Sequence, residues 1–361
     1  MKLSEITSQL HSLKSHINAT YLLTPQNLKI EKSNFLANKI VNPQLIYPEI
    51  PQEILTTKFV QTKELLKQNF SEEITEKIIF NKLKELELKL IMLLARDNQE
   101  YSNISLKLYQ CDYDTKTLNQ AKQDAKISAD FSAKDTATPE KARQIINQYF
   151  LDNQIPNWHA EISDLHDFYF RIQAAENVIL ISREVNWDFC DLDCVMAHEI
   201  DGHIFRAINM KNQNDPLFSK PLPFYIKTEE GLASFLGDYL STTSLVSRKH
   251  HALKYLAGKL AQTSSFREVF EFFCDHGFTK ELAFRRTFRL KRGISDTSLP
   301  GVYGHEAMYY EGMLEVKNYL ENGGDLKALY AGKAGIDDLS NVPISKEIMI
   351  PQRLIKRENK Y

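Results

Sequence analysis

The segment Ala197-His198-Glu199-Ile200-Asp201-Gly202-His203 places two histidines five residues apart, with a glutamate beside the first. Two histidines and a glutamate on one helix are a common way to hold a catalytic zinc ion, the glutamate being the base that takes a proton from water. In the usual motif the histidines are four apart, so both rings leave the same helix face. Five residues correspond to roughly 140° of rotation and ~7.5 Å of rise, which would direct the rings apart. We therefore predict a locally widened helix between Glu199 and His203, a π-bulge that Gly202 would ease.

Short apolar runs with strand character precede the histidine segment and indicate the fold class. They occupy residues 158–162, 168–172 and 178–181. Before them, Thr138-Pro139-Glu140 combines a threonine N-cap with proline at the first helical position and predicts a helix through Phe150. Another helix is predicted to begin near Trp187 and to carry the histidines. Strands followed by such a helix indicate the α+β class, here with a small mixed or antiparallel sheet.

The first hundred residues are predicted to be largely helical. Apolar residues recur at three- and four-residue steps in residues 3–17 and 74–94. Between these helices, Pro43, Pro48 and Pro51 indicate an extended passage over the surface of another element. Residues 112–135 have the composition of a linker or an exposed helix. We therefore divide the chain into a mostly helical region at 1–125, packed on a catalytic domain at 126–361.

The composition is that of an ordinary globular protein able to bury a full core, since 43% of the 361 residues are hydrophobic and 25% are charged. A formal net charge of −2 gives no reason to expect nucleic-acid binding. No apolar run approaches the length of a membrane span, so no membrane partner is expected. Four cysteines without a CxxC pair predict reduced thiols in a cytoplasmic protein. The sequence leaves the oligomeric state open.

Two cysteines lie on the same predicted helix face as the first histidine, because Cys190, Cys194 and His198 recur every four residues. A thiolate from Cys194 could join His198 on a metal. Cysteine is also among the most buried residue types, so the same stripe would equally face the core.

A catalytic zinc site needs a third protein ligand, and the best candidate lies in Glu229-Glu230-Gly231-Leu232-Ala233. The apolar period continues beyond this segment, which predicts that both glutamates lie in the first turn of a helix. Glu230 is then the candidate ligand, and Glu229 can accept the N–H of a ligating histidine and fix its tautomer. Acidic residues are also common at helix starts because they favour the positive end of the helix dipole.

In these motifs the chain resembles the metallopeptidases that combine an HExxxH helix with a downstream QEGLA-type motif. That family includes the microtubule-associated tyrosine carboxypeptidases and bacterial proteins labelled as modulators of flavohaemoglobin expression. Besides the histidine segment, the resemblance rests on Glu230-Gly231-Leu232-Ala233, Asn42-Pro43-Gln44-Leu45-Ile46-Tyr47, Ser105-Leu106-Lys107-Leu108-Tyr109 and residues 289–293.

The resemblance implies a zincin-like fold with one zinc ion per chain on His198, His203 and Glu230, and with Glu199 as general base. The sequence differs from the family pattern at two places. Glu229 stands where many relatives have glutamine, and Asp201-Gly202 stands where Gly-Thr is expected. Both differences change the surroundings of the metal, but neither removes a ligand. The HExxxH string is also similar to that of dipeptidyl peptidase III, whose two motifs lie much further apart.

A carboxypeptidase must bind the free C-terminal carboxylate of its substrate, and the planar fork of arginine suits this task. Arg285, Arg289 and Arg292 would share one helix face, with Arg286 on its edge. The same residues would also suit a solvated basic face or a phosphate site.

The oxyanion that develops during hydrolysis needs a donor in addition to the metal. His305, Tyr309 and Tyr310 are the candidates, although paired tyrosines on a helix are also typical of a core or an interface.

The sequence is compatible with three functions. The first is a zinc carboxypeptidase that releases a C-terminal residue, with aromatic residues among the candidates, from a peptide or protein. The second is a zinc aminopeptidase or dipeptidyl peptidase, which would need a free amine in place of a free carboxyl. The third is a non-catalytic regulatory protein with a structural metal.

Overall fold

The structure is a computed structural model, and it describes residues 2–15, 17–128, 136–164, 170–184, 187–240, 244–344 and 347–358. Contacts divide the chain into two compact units, each assembled from three segments. The first unit contains Met1–Ala125, Leu222–Lys227 and His250–Glu311, and the second contains Lys126–Pro221, Thr228–Lys249 and Gly312–Tyr361. The division into domains at 1–125 and 126–361 stays a prediction.

Helices make up most of the described residues. The α-helices are α1 (Leu3–Lys14), α2 (Ala19–Leu22), α3 (Leu28–Leu36), α4 (Gln52–Leu66), α5 (Ile74–Leu94), α6 (Tyr101–Leu108), α7 (Thr115–Asp124), α8 (Pro139–Asp152), α9 (Phe189–Met196), α10 (Phe205–Lys211), α11 (Ile226–Tyr239), α12 (Ser244–Ala261), α13 (Phe266–Asp275), α14 (Lys280–Leu290), α15 (Met308–Glu321), α16 (Leu326–Tyr330) and α17 (Gln352–Glu358). A π-helix spans Ala197–Ile204, and short 3₁₀ helices span Gly304–Glu306 and Ile336–Asn341. None of the helices in these ranges is both long and apolar enough to cross a membrane.

The first unit is built on α1, α4, α5 and α6, whose apolar faces form one core that includes Leu83, Leu90 and Leu93. The helix predicted at residues 74–94 is confirmed by α5, and α1 confirms residues 3–14 of the helix predicted at 3–17. The predicted extended passage is confirmed as well, because Gln44 pairs with Asp296 as an isolated bridge. Residues 112–135 were predicted to be either a linker or an exposed helix, and part of this stretch forms the helix α7. Residues 129–135 lie outside the described ranges.

The second unit contains a small mixed sheet, which settles one of the two predicted alternatives. Strand β4 (Val178–Ser182) lies in the middle, parallel to β2 (His159–Ser163) and antiparallel to β3 (Phe170–Gln173). All five residues of β4 are buried, as expected of a central strand. The three predicted strand runs are thus confirmed, apart from residues 168 and 169, which lie outside the described ranges. The fold is of the α+β class.

Helix α8 covers this sheet and begins as predicted. The Thr138 hydroxyl accepts a hydrogen bond from the Lys141 amide at 3.3 Å, with Pro139 as the first helical residue. On the helix face, Asn147 accepts a hydrogen bond from the Ala160 amide of β2 at 2.7 Å. The two-residue strands β1 (Thr136–Ala137) and β5 (Trp187–Asp188) then pair antiparallel, and α9 follows directly.

Candidate metal centre

The histidine segment forms a π-helix between α9 and α10, which confirms the predicted widening. Its i→i+5 hydrogen bonds place residues five apart on one face, as HExxxH requires for two ligands. The apolar residues Ala197, Ile200 and Ile204 are buried and anchor the segment in the second unit. His198 and His203 are half-buried, and their ring centroids lie 5.0 Å apart.

Glu230 on α11 faces both histidines. Its Oε2 atom lies 3.3 Å from His198 Nε2 and 3.6 Å from His203 Nε2. One ligand atom from each of the three residues lies within 4.8 Å of the other two. Among the described His, Cys, Asp and Glu residues, these three are the ones placed closely enough to hold a metal ion. Tetrahedral zinc with bonds of ~2.0–2.1 Å separates its ligand atoms by roughly 3.3 Å. The donor set therefore fits a zinc ion in both atom type and spacing.

The position of Glu230 depends on a close approach of α11 to the π-helix. A β-carbon on Gly202 would lie 2.6 Å from Ala233 Cβ and 2.9 Å from Ala233 Cα, so only glycine fits there. Ala233 lies three residues after Glu230 and shares its helix face. Because the backbones come this close, the short glutamate side chain reaches the histidines. One detail of the prediction was wrong: α11 begins at Ile226, so Glu229 lies in its first turn and Glu230 just beyond it.

Glu229 makes the contact predicted for it. Its Oε1 atom lies 3.0 Å from His203 Nδ1, so the carboxylate accepts that N–H and leaves Nε2 directed at the cluster. Arg206 donates to Oε2 at 2.6 Å and Lys333 to Oε1 at 2.7 Å. Burial opposes ionisation of Glu229, but Arg206 and then Lys333 outweigh it and hold the pKa of this carboxyl far below its usual range.

The site attracts positive charge. Burial lowers the pKa of His203, but Glu230, then Glu229 and Glu199, raise it by more, to about 9. In the protein without a cation, the three carboxylates therefore favour a proton on this ring. A divalent ion held by His198, His203 and Glu230 would supply the same compensation.

Arg206 and Lys333 were not anticipated from the sequence. Arg206 is completely buried and also donates to the Gly332 and Ala334 carbonyl groups. Its position one turn after His203 was the sequence signal that could have identified it. Lys333 lies in a loop more than a hundred residues away, and no local pattern connects it with Glu229.

Gly231, next to Glu230, is in backbone contact with α15. A β-carbon at this position would lie 2.3 Å from the Gly312 carbonyl carbon and 2.4 Å from its oxygen. We expect Gly231→Ala to lower the free energy of unfolding by about 3 kcal/mol, because a backbone segment must move to make room. Chemical denaturation with a fixed m-value would measure this loss.

The matched control is Gly237→Ala, six residues further along α11. There the nearest atom to a new β-carbon is Cys194 Sγ at 3.2 Å, on a side chain that can shift. Since alanine is the better helix former by ~1 kcal/mol, this variant should stay within about 1 kcal/mol of wild type. Equal stability of the two variants would contradict the close contact at Gly231.

The alternative role for Cys194 as a metal ligand is not supported. Its thiol is absent from the group of ligand atoms formed by His198, His203 and Glu230. Its Sγ atom lies 3.2 Å from the position that a β-carbon on Gly237 of α11 would take. The side chain of Cys190 lies outside the described residues.

The arginines predicted to bind a carboxylate belong to the first unit. Arg289 donates to Glu306 at 2.7 Å and contacts the Tyr309 hydroxyl at 3.5 Å. Arg285 lies on α14 with it, but Arg292 does not, because α14 ends at Leu290. Burial and then Arg289 lower the pKa of Arg286 to about 10, so basic groups are concentrated here. A role of Arg285, Arg289 and Arg292 in substrate binding stays a prediction.

The three candidate oxyanion donors also lie in the first unit. Tyr310 is completely buried and donates to Asp124 at 2.7 Å, which fits the core alternative. The His305 ring packs against both Tyr109 and Tyr303, with centroids 5.1 and 5.7 Å away. Tyr309 lies beneath the Lys254 ammonium, 4.5 Å from its ring centroid. Their predicted catalytic role also stays a prediction.

Fold and site together define an α+β protein with a candidate mononuclear metal centre on a π-helix. A family model described as microtubule-associated tyrosine carboxypeptidase matches residues 33–349, and the chain belongs to this family. It is 31% identical over 174 residues to human MATCAP2, covering 45% of this chain and 32% of that protein. It is 27% identical over 157 residues to rat microtubule-associated tyrosine carboxypeptidase 1, covering 42% of this chain and 33% of the relative. The chain spans about a third of the length of these curated relatives.

Proposed function

We propose that the protein is a zinc-dependent carboxypeptidase that releases a C-terminal residue from a peptide or protein. The observation that carries the proposal is the spacing of His198 Nε2, His203 Nε2 and Glu230 Oε2, which suits tetrahedral zinc. Membership of a family described as tyrosine carboxypeptidases supports the same reaction. The zincin-like character of the fold belongs to this proposal.

The chemistry divides between the metal and the residues around it. A zinc ion here would polarise the scissile carbonyl and lower the pKa of water towards ~7. His198, His203 and Glu230 would hold it and leave one position open. Glu199, beside His198, takes the proton from the attacking water and delivers it to the leaving amine. Glu229 holds the His203 ring in the tautomer whose Nε2 can bind a metal.

The residue proposed to be released from the substrate is inferred from the names of the relatives. The rat relative is named for removing tyrosine, so we propose an aromatic residue at the substrate C-terminus. A cytoplasmic location for this reaction is part of the proposal. The proposed reaction requires neither nucleic acid nor a membrane.

End specificity is the direct test. The zinc-loaded protein is incubated with peptides that end in tyrosine, with the C-terminus free or amidated and the N-terminus free or acetylated, and products are identified by mass spectrometry. We expect release of tyrosine from both free-carboxyl peptides, and slowing by roughly 10²-fold or more on amidation, because a site built for a carboxylate rejects its neutral analogue. Chelation should abolish release, and added zinc should restore it.

The other outcomes separate the alternatives. Cleavage that requires a free amine would favour an aminopeptidase or dipeptidyl peptidase. Equal rates for free and amidated peptides would overturn the carboxypeptidase assignment and leave the metal site standing. One bound zinc per chain with no cleavage of any peptide would favour a structural metal.

A further inference from the structure

Asp201 lies between the two histidines in sequence and is completely buried on the π-helix. Its Oδ1 atom accepts a hydrogen bond from the Tyr149 hydroxyl of α8 at 2.7 Å, and Oδ2 accepts one from Arg353 Nε of α17. A buried carboxylate is stable only when its lone pairs are bonded and its charge is compensated. Arg353 supplies the compensating charge and one of the two hydrogen bonds, so Asp201 depends on α17.

The same guanidinium holds a second carboxylate. Arg353 Nη1 donates to Asp193 Oδ1 at 2.7 Å, and the guanidinium carbon lies 5.2 Å from the Tyr149 ring centroid. Asp193 belongs to the regular helix α9, whereas Asp201 belongs to the π-helix. Because the guanidinium is planar and its donors are fixed relative to one another, it sets the distance between these carboxylates across the α-to-π junction.

That distance matters because the π-helix is not the preferred state of the backbone. In a continuous α-helix, Asp193 and Asp201 would point about 80° apart around the axis. The smaller rotation per residue of the i→i+5 turns brings the two carboxylates towards one side, where one guanidinium reaches both. Backbone of unusual geometry persists only where its surroundings over-determine it. Return to a regular α-helix would rotate the histidine rings apart by roughly 140°.

We infer that Arg353, acting through Asp201, is a positioning residue that holds the histidine helix in its π form and thereby sets the affinity of the metal site. Among the described residues, its side-chain hydrogen bonds go to Asp193 and Asp201 and not to His198, His203 or Glu230, and its guanidinium lies over the Tyr149 ring. The adjacent Gly202 lies close to Ala233, and this approach fixes the π-helix against α11. The inference rests on the proposed zinc site and adds α17 to its supporting structure.

The test compares Arg353→Met and Arg353→Lys with wild type. Zinc affinity is measured by competition with a chelating dye, and kcat and KM are measured on a cleaved peptide. We expect Arg353→Met to bind zinc roughly 10-fold more weakly or worse, the usual effect of losing a residue that orients metal ligands. At saturating zinc, kcat should fall and KM should stay near wild type. Arg353→Lys keeps the positive charge but loses the planar set of guanidinium donors, so it should bind zinc more tightly than Arg353→Met and less tightly than wild type.

Cobalt substitution adds a readout that overall stability does not change. The visible absorption of bound cobalt reports ligand geometry, and we expect an altered spectrum in Arg353→Met. Should Arg353→Met fail to fold, Tyr149→Phe removes one hydrogen bond to Asp201 and should shift affinity in the same direction.

Asn209→Ala is the matched control. Asn209 is buried in the same unit and bonds the Tyr330 and Met349 carbonyl groups, each at 2.8 Å, without touching Asp201 or Arg353. It should lower Tm and leave zinc affinity and the cobalt spectrum near wild type. Wild-type affinity and spectrum in Arg353→Met and Tyr149→Phe would overturn the inference. Absence of zinc binding by wild type would instead overturn the proposed function.

Discussion

Replacing Glu199 by glutamine is expected to lower kcat by about 10²- to 10⁴-fold, the usual contribution of a positioned general acid–base. Glutamine keeps the size and hydrogen-bonding reach of the side chain but cannot take the proton from water. Glu199 is not among the three candidate ligands, so zinc should remain at one per chain. Single-turnover rates and metal content measured on the same sample would separate chemistry from metal loss.

Glu161→Gln serves as the control for this variant. Glu161 is an exposed carboxylate in the same unit, paired with His159 at 2.9 Å, and its loss should leave kcat unchanged. Retention of full activity by Glu199→Gln would remove Glu199 from the mechanism. Retention of zinc with loss of activity would exclude a purely structural metal.

Glu230→Ala is expected to remove the metal itself. The two histidines cannot complete a tetrahedral zinc site without a third protein ligand. We expect zinc affinity to fall by more than the roughly 100-fold that marks the loss of an outer residue, and activity to disappear with it. Metal analysis after gel filtration in chelator-free buffer would measure the loss.

The matched control for Glu230→Ala is Asp238→Ala, on the same helix α11. Asp238 forms an ion pair with Arg248 and is absent from the candidate ligand group. It should keep one zinc per chain and wild-type kcat. Zinc content near one per chain in Glu230→Ala would show that the third ligand lies elsewhere.

The sequence was most informative where a local rule applied. Five-residue spacing of His198 and His203 demanded a widened helix, because helix geometry relates spacing to direction without reference to the rest of the chain. The Thr138-Pro139 pair located the start of α8 for a similar reason, since both the cap and the missing amide act within one turn.

Contacts distant in sequence were the part that could not be predicted. Lys333 and Arg353 reach Glu229 and Asp201 from segments far along the chain, and nothing in their own neighbourhoods distinguishes them from surface cations. The assignment of Arg292 to α14 was wrong because helical spacing alone does not show where a helix ends. Here the last turn closes at Leu290, and Gly293 adopts a φ of 85° that favours glycine.

The π-helix also keeps the core in phase. Leu192, Met196, Ile200 and Ile204 recur at steps of four residues, and all are buried. In a straight α-helix each such step rotates by about 40°, so the stripe would turn by about 120° over its length and leave the core. A turn with i→i+5 bonds rotates less per residue and cancels part of this drift. The same extra residue therefore aligns two opposite faces, and a one-residue deletion would put the metal ligands and the apolar stripe out of register together.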